Sequence, residues 1–585
     1  MDTTPRCQYA YEALFERLTP LIQSLYPEED AYALAQQLVA ATGIQEEDCA
    51  LPQSHESHWD ESDIMVITYG DTIKNPGEVP LQTLKKILDK YLKDIVSMVH
   101  ILPYYPSTSD GGFAVSDYAV INPDLGNWED VTAISKDYKI MADLVINHCS
   151  SEHKWFQAFI DADPTYADYF VVVDAGTDWS KVVRPRTTPL LRPTMTADGE
   201  KYVWCTFGHD QIDLNFANPK VLLEVMRLIS LYIDKGASIF RLDAIGFLWK
   251  IIGTPCIHLP ETHQAVQLIR ALIEYRLHDA IIITETNVPK KENLTYFGNA
   301  NEAHMVYNFS LPPLVINAML TGSAKHLKSW LMSMPPAQMG TTYLNFIASH
   351  DGIGVRPAEG MLDPEELQNM IHALQSFGAR VSWRNDANGE KHPYEINIAL
   401  IDAFKGTCRG EDDYQIERML CAHAIAIALE GVPALYIHSF FGTENDYEAL
   451  EKTQHNRDIN RHHWDSELLT IALDDSHSLH HKVLTKLSDL IKIRKKQRAF
   501  HPNATQFTLH LPDELFGFWR QSLRHDQSIF VINNVTDQPQ ILSLGQLNLI
   551  DMDEWKELLS GEMLPDLYGE FTLAPYQSAW ITNRW

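Results

Sequence analysis

One feature constrains this chain more than any other. From Ile64 onward a short apolar strand, a polar turn and an amphipathic helix recur in that order eight times. The strands read as IMVITYG, VSMVHILPY, YKIMADLVINH, ASIFRLDAIG, AIIITETN, HMVYNFSL, TYLNFIASHD and PALYIHSF, separated by helical patterns such as PLQTLKKILDKYLKD and NPKVLLEVMRLISLYIDKG. Eight strand–helix units predict an α/β fold of the (β/α)₈ type, the TIM barrel. An open doubly wound sheet is the alternative. It finds no GxGxxG turn after the first strand to support a dinucleotide site.

The barrel reading leaves four segments over. Residues 1–61 form an N-terminal extension, with helical periodicity in YEALFERLTPLIQSLY and AYALAQQLVAAT and then a polar linker. It is expected to pack against the main domain. Two long irregular insertions, about 151–218 and 352–418, interrupt the barrel domain (62–500). Such loops inside a compact domain usually carry function, and these would overlie the barrel mouth. From residue 501 to 585 short alternating strands (TQFTLHL, LFGFWRQSL, QSIFVINNV, QILSLG, SAWITN) predict a C-terminal antiparallel β domain. The length of 585 residues suits two or three domains.

Bulk chemistry narrows the partners. Acidic residues outnumber basic ones 78 to 47, a formal net charge of -31, which argues against nucleic acid or an anionic membrane. Seven cysteines without a CxxC pair suit reduced thiols in the cytoplasm. The N-terminus shows no secretory signal, and no run of about 18 apolar residues predicts a membrane span. Oligomeric state is not readable.

Functional groups gather where a barrel would use them. Residues at the C-terminal ends of the strands face one mouth. The third strand ends in Asn147-His148, the fourth in Arg241-Leu242-Asp243, the fifth in Thr284-Glu285-Thr286-Asn287 and the seventh in His350-Asp351. The turn after the second carries Ser109-Asp110-Gly111-Gly112-Phe113. A single strand-end Asp is more often a cap, and a single His more often a satisfied core residue. Their coincidence at one level points to a pocket holding Asp243, Glu285 and Asp351.

Paired carboxylates suit glycosyl transfer, in which one attacks the anomeric carbon and the other protonates the leaving oxygen. Adjacent strands lie about 4.8 Å apart, close to the 5–5.5 Å a retaining pair needs. Arg241, two residues before Asp243, shares its face and is expected to lower its pKa. Glu285, in an apolar setting, is expected to hold its proton. A metal site built from His148, Cys149, His258, His263 and His350 is the rival, without any ligand spacing such as HExxH.

The pieces FRLDAIG, IITETN, IASHDG and LVINH resemble the conserved regions of the α-amylase superfamily, glycoside hydrolase family 13, over about residues 62–585. VHILPYYPSTSDGGF, GNWEDV, VVRPR, VYNFSLPPL, SHDGIGV, GVPALYI and NRDINRH make the chain similar to its sucrose phosphorylase subfamily. That resemblance implies Asp243 as nucleophile, Glu285 as general acid/base and Asp351 as the third carboxylate. It implies a glucose subsite of Asp110, Phe113, His148, Gln211, Arg241, His350 and Arg457. Arg184 and Arg186 of the basic segment KVVRPRTTPLLRP would line the phosphate and acceptor side, with no metal or organic cofactor; bidentate arginine suits phosphate.

Phe247 and Asn287 stand where sucrose enzymes tend to have tyrosine and histidine. In the acceptor loop GEKHPYEINIALIDAF, Tyr394 matches a loop tyrosine near the acceptor, while Lys391, His392 and Glu395 differ from the sucrose type; Lys391, His392 or an arginine of the RPR piece would meet an acceptor carboxylate, and Glu395 would accept from acceptor hydroxyls. With the N-terminal extension, these departures resemble the branch acting on glucosylglycerate or glucosylglycerol. The expectation is a retaining α-glucoside phosphorylase whose partners are small sugars and phosphate. A hydrolase or transglucosidase of the same superfamily is the alternative, and a non-catalytic binding protein the third.

Overall fold

In the computed structural model, eight strands close into one parallel barrel: β1 (Met65–Thr68), β2 (Met98–Ile101), β3 (Lys139–Leu144), β4 (Ala237–Leu242), β5 (Ile281–Thr284), β6 (Met305–Tyr307), β7 (Thr342–Asn345) and β8 (Val432–Tyr436). Each neighbours the next in sequence, and β8 pairs β1 to close the ring. These are the eight strands read from the sequence. They carry β-branched and other apolar residues and are almost wholly buried, as strands covered on both faces must be. The structure describes residues 4–53, 56–385, 391–547, 549–550 and 553–585; Gly389 and Glu390 of the acceptor loop lie outside these residues.

Helices are placed by local signals. The one following the first insertion, Pro219–Asp234, starts on the Asn218 side chain, which accepts from Lys220 N, with proline at its first turn. The N-terminal extension forms α1 (Thr4–Leu25) and α2 (Ala31–Thr42). They lie outside the ring of barrel helices, α1 on Pro260–Arg276 and α2 on Pro219–Asp234. Leu14, Leu18, Ile22, Leu34 and Leu38 are buried there. Arg17 pairs with Glu274 at 2.9 Å, and Tyr26 Oη donates to the Phe216 carbonyl at 3.0 Å.

The first insertion folds back on the mouth. His148–Ser150, just past β3, pairs antiparallel with Gln211–Asp213, and a three-stranded sheet (Val172–Val173, Leu191–Thr196, Gly199–Trp204) lies beyond. The second insertion forms another three-stranded sheet, Ile353–Gly354, Lys391–Asn397 and Arg380–Asn385.

At the opposite end of the barrel, the segment around Pro502 meets the starts of β7 and β8. Its carbonyl accepts from Gly431 N and Thr342 Oγ1. Two fully buried arginines cement this floor: Arg494 donates to the Ile427 and Phe500 carbonyls, and Arg520 to those of Ala428 and His501. The C-terminal residues then form a five-stranded antiparallel sheet and a two-stranded one. Lys556–Glu557 and Glu570–Leu573 are strands additional to those read from the sequence. Among the described residues, no helix is long and apolar enough to cross a membrane.

Candidate active site

The strand register builds the centre of the site. Arg241 of β4 stands directly beside Asp143 of β3, and Leu242 beside Thr284 of β5. The next residues, Asp243 and Glu285, therefore leave the sheet as neighbours at its C-terminal rim. Arg241 Nη1 donates to Asp143 Oδ1 at 2.5 Å and to Asp243 Oδ1 at 2.7 Å, while Nη2 lies 3.9 Å from Glu285 Oε2. His100 Nε2 closes the row on Asp143 Oδ2 at 2.8 Å. A buried arginine is tolerable in this setting because three carboxylates surround it. Beyond Asp243 the chain turns sharply: Ala244 adopts φ 48°, and its N–H donates to Glu285 Oε2 at 3.0 Å.

Burial raises the Glu285 carboxyl to about 7; Arg241 opposes this, and Asp243 and Asp351 add to it. Burial also raises Asp243 above its ordinary value, against the pull of Arg241 and with a push from Asp143. This corrects the expectation that Arg241 leaves Asp243 with a lowered pKa. Its guanidinium is divided between two aspartates, so its charge only partly offsets desolvation. Both acids of the pair are thus raised above their ordinary values by burial. Asp351 differs: burial is outweighed by the charges of Arg457 (Nη1 to Oδ1, 2.6 Å) and Arg461, which hold it well below the usual carboxylate range.

Around these acids stands the pocket wall. It is lined by Asp110, Phe113, His148, Arg186, Phe207, Gln211, Arg241, Asp243, Ala244, Glu285, Asn287, His350, Asp351, Tyr394 and Arg457, around a narrow cavity of about 70 Å³. Asp110 sits in a left-handed turn, φ 55°, where the next two residues, Gly111 and Gly112, are also left-handed. A Cβ on Gly112 would lie 2.8 Å from the Pro103 carbonyl, so the Asp-Gly-Gly turn permits no side chain there. Gln211 Nε2 donates to Asp110 Oδ2 at 3.0 Å. Asn147 Nδ2 donates to His148 Nδ1 (3.2 Å), which orients His148 Nε2 to donate to the Phe113 carbonyl (2.9 Å). His350 stacks on Phe113, centroids 5.4 Å apart, and burial drives its pKa well below the ordinary value, so it is neutral.

The acceptor side departs from expectation. Arg186 lines the pocket, its guanidinium 5.7 Å from the Tyr394 ring. Arg184 is not among the lining residues; it donates to the Thr188 carbonyl and lies over Trp179. Lys391 and His392 stand opposite Asn385 and Arg384 on the outer sheet rather than in the lining. Glu395 is buried and bound to Arg457 (Nε 3.0 Å, Nη2 2.9 Å) and Gly352 N, so its oxygens are not offered to an acceptor. Asp143, His100 and Phe207 went unread in the sequence. The first two carried a signal, ionisable groups inside the apolar runs KIMADL and MVHI. Phe207, in the irregular first insertion, carried none. Among the described residues no three His, Cys, Asp or Glu side chains are arranged to hold a metal ion, and His258 and His263 lie against Tyr296.

The α-amylase catalytic domain matches residues 71–357. Over 571 residues the chain is 42% identical to glucosylglycerate phosphorylase of Allomeiothermus silvanus, covering 97% of this chain and 100% of that one. The chain belongs to the glucoside phosphorylases of the α-amylase family. Glucosylglycerate phosphorylase of Escherichia coli is 38% identical over the same shares. Glucosylglycerol phosphorylase of Marinobacter adhaerens is 30% identical over 75% of this chain and 88% of its own. The solved sucrose 6F-phosphate phosphorylase of Thermoanaerobacter thermosaccharolyticum superposes with a TM-score of 0.70 at 25% identity, covering 81% of this chain and 94% of that one.

Proposed function

We propose that this glucoside phosphorylase uses glucosylglycerate: it moves the glucosyl group to inorganic phosphate, giving α-glucose 1-phosphate and glycerate. Asp243 attacks the anomeric carbon while Glu285 protonates the departing glycerate oxygen. Phosphate then attacks the glucosyl ester from the same face, with Glu285 taking the proton. Asp351, Arg457, His148, His350, Asp110 and Gln211 hold the glucosyl hydroxyls, with Phe113 as an apolar wall. Phosphate is a substrate of this reaction, which calls on no cofactor.

One observation carries the choice of an anionic acceptor. Three arginines line the pocket. Arg241 serves Asp143 and Asp243, and Arg457 serves Asp351 and Glu395. Arg186 has no carboxylate partner among the described residues, yet it faces a pocket otherwise rich in acids. A cation so placed suits a carboxylate in one half-reaction and phosphate in the other. The full-length likeness to enzymes named for glucosylglycerate supports the same reading.

The test supplies α-glucose 1-phosphate with glycerate, glycerol, fructose or fructose 6-phosphate separately, and measures phosphate released. Glycerate should be used far faster than the others, and Arg186→Ala should erase that preference. Equal or faster release with glycerol or fructose would overturn the assignment. Free glucose from the glucoside in phosphate buffer, without glucose 1-phosphate, would make the chain a hydrolase.

A further inference from the structure

The sequence placed Glu395 among the groups that touch the acceptor. The geometry points elsewhere: we infer that Glu395 is a positioning residue, which fixes Arg457 against Asp351 and so couples the acceptor loop to the glucose subsite. The inference rests on glucosyl transfer at this site but not on which acceptor is used.

Glu395 is 2% exposed, and both its oxygens are engaged. Oε1 accepts from Arg457 Nε and Gly352 N, and Oε2 from Arg457 Nη2. The remaining guanidinium nitrogen, Nη1, reaches Asp351 Oδ1 at 2.6 Å. One planar group is thus gripped along one edge by Glu395 and presents its other end to Asp351. A guanidinium held by a bidentate carboxylate keeps a fixed plane, whereas one held at a single point swings. Arg457 is the leading group that keeps Asp351 ionised against burial, so its plane sets both the place and the charge of the third carboxylate.

The rest of the neighbourhood is built for the same grip. Gly352 follows Asp351 directly. A Cβ there would lie 2.5 Å from Glu395 Cγ, so the close approach requires glycine. Glu395 pairs with Gly354 across the antiparallel strands of the second insertion. From the opposite side Asn460 Nδ2 donates to the Ser349 and Asp351 carbonyls and Arg461 Nε to that of His350. The Ser349–Gly352 turn is therefore held between the segment carrying Arg457 and the strand carrying Tyr394 and Glu395. A residue on the acceptor loop reaches the sugar side through one arginine.

The experiment uses α-glucosyl fluoride, a donor whose leaving group is fluoride and which has no acceptor portion. Glu395→Gln should lose kcat/KM by at least about tenfold on the fluoride, and by a similar factor on the natural glucoside. An acceptor contact would leave the fluoride reaction untouched and impair only the glucoside and phosphate steps; that result overturns the inference. Loss of fold is separated by a double-mutant cycle. If Glu395 acts through Arg457, Glu395→Gln adds little to Arg457→Lys, whereas additive losses would exclude that route. Failure of glycerate in the acceptor assay would leave both readouts standing, because neither depends on the acceptor.

Discussion

At the scale of residues, the site is a problem in sharing few cations among many acids. Arg241 is split between Asp143 and Asp243, and burial raises the Glu285 carboxyl to about 7. The pH dependence follows with a definite sign. In the proposed reaction Glu285 is protonated to release the leaving oxygen, so kcat/KM on the glucoside should fall as pH rises through about 7. In the same reaction Asp243 attacks as the ionised group, so the acid limb should reflect a carboxyl raised above its ordinary range. Glu285→Gln should cut turnover of the glucoside by about 10²–10⁴-fold. It should cost far less with α-glucosyl fluoride, whose leaving group needs no proton, and the limb near 7 should vanish. Equal losses on both donors would remove the acid role from Glu285. The pair Asp243 and Glu285 was legible because ionisable groups at the ends of several barrel strands coincide at one level, where a shared mouth brings them together. Asp143 and His100 carry the same signal one turn of the pleat deeper, where strand-end reasoning does not look. The raised pKa of Asp243 was illegible, since its sharing of Arg241 with Asp143 depends on the β3–β4 register.

At the scale of elements, the periodicity of strand and helix was enough to give all eight barrel strands, because each is a local apolar run between turn signals. The insertions were not legible in detail. Glu395 lies 62 residues from the arginine it holds, and Gln211 lies 101 residues from Asp110. No local pattern reports such contacts, and Arg184, two residues from Arg186, points elsewhere for the same reason. The extension is an element with a measurable role. Leu18 of α1 is fully buried in the layer outside the barrel helices. Leu18→Ala should destabilise the enzyme by about 2–5 kcal/mol, measured by urea unfolding. The kcat of the folded variant should be unchanged, because α1 meets helices rather than strand ends. A lost kcat with unaltered stability would contradict this placing.

At the scale of the whole molecule, the barrel floor carries its own titration. Glu430, just before β8, is buried, and its Oε1 accepts from Ala337 N at 2.9 Å. Burial raises its carboxyl to about 7, although that hydrogen bond and Arg520 pull it down. The folded state therefore binds this proton more tightly than the unfolded chain, whose glutamates titrate near about 4.3. The stabilisation is complete below that value and is lost as pH rises through about 7. Glu430→Gln keeps the oxygen acceptor and removes the titration. Its Tm should match the parent near pH 4.5 and exceed it increasingly toward pH 8; parallel curves would refute the assignment. The C-terminal sheet was readable from its alternation, except Lys556–Glu557, too short to alternate, and Glu570–Leu573.

The sealed floor has a further consequence for traffic. With Arg494, Arg520 and the segment around Pro502 closing the far end, what leaves the pocket leaves by the doorway through which the next guest enters. On the proposed reaction the departing acid must clear the passage before phosphate arrives. Between those two events the sugar waits as an ester on Asp243 with an unoccupied berth beside it. Water competes in that interval. The share of glucose it claims is a clock on how fast the berth refills, and lowering phosphate should lengthen the wait.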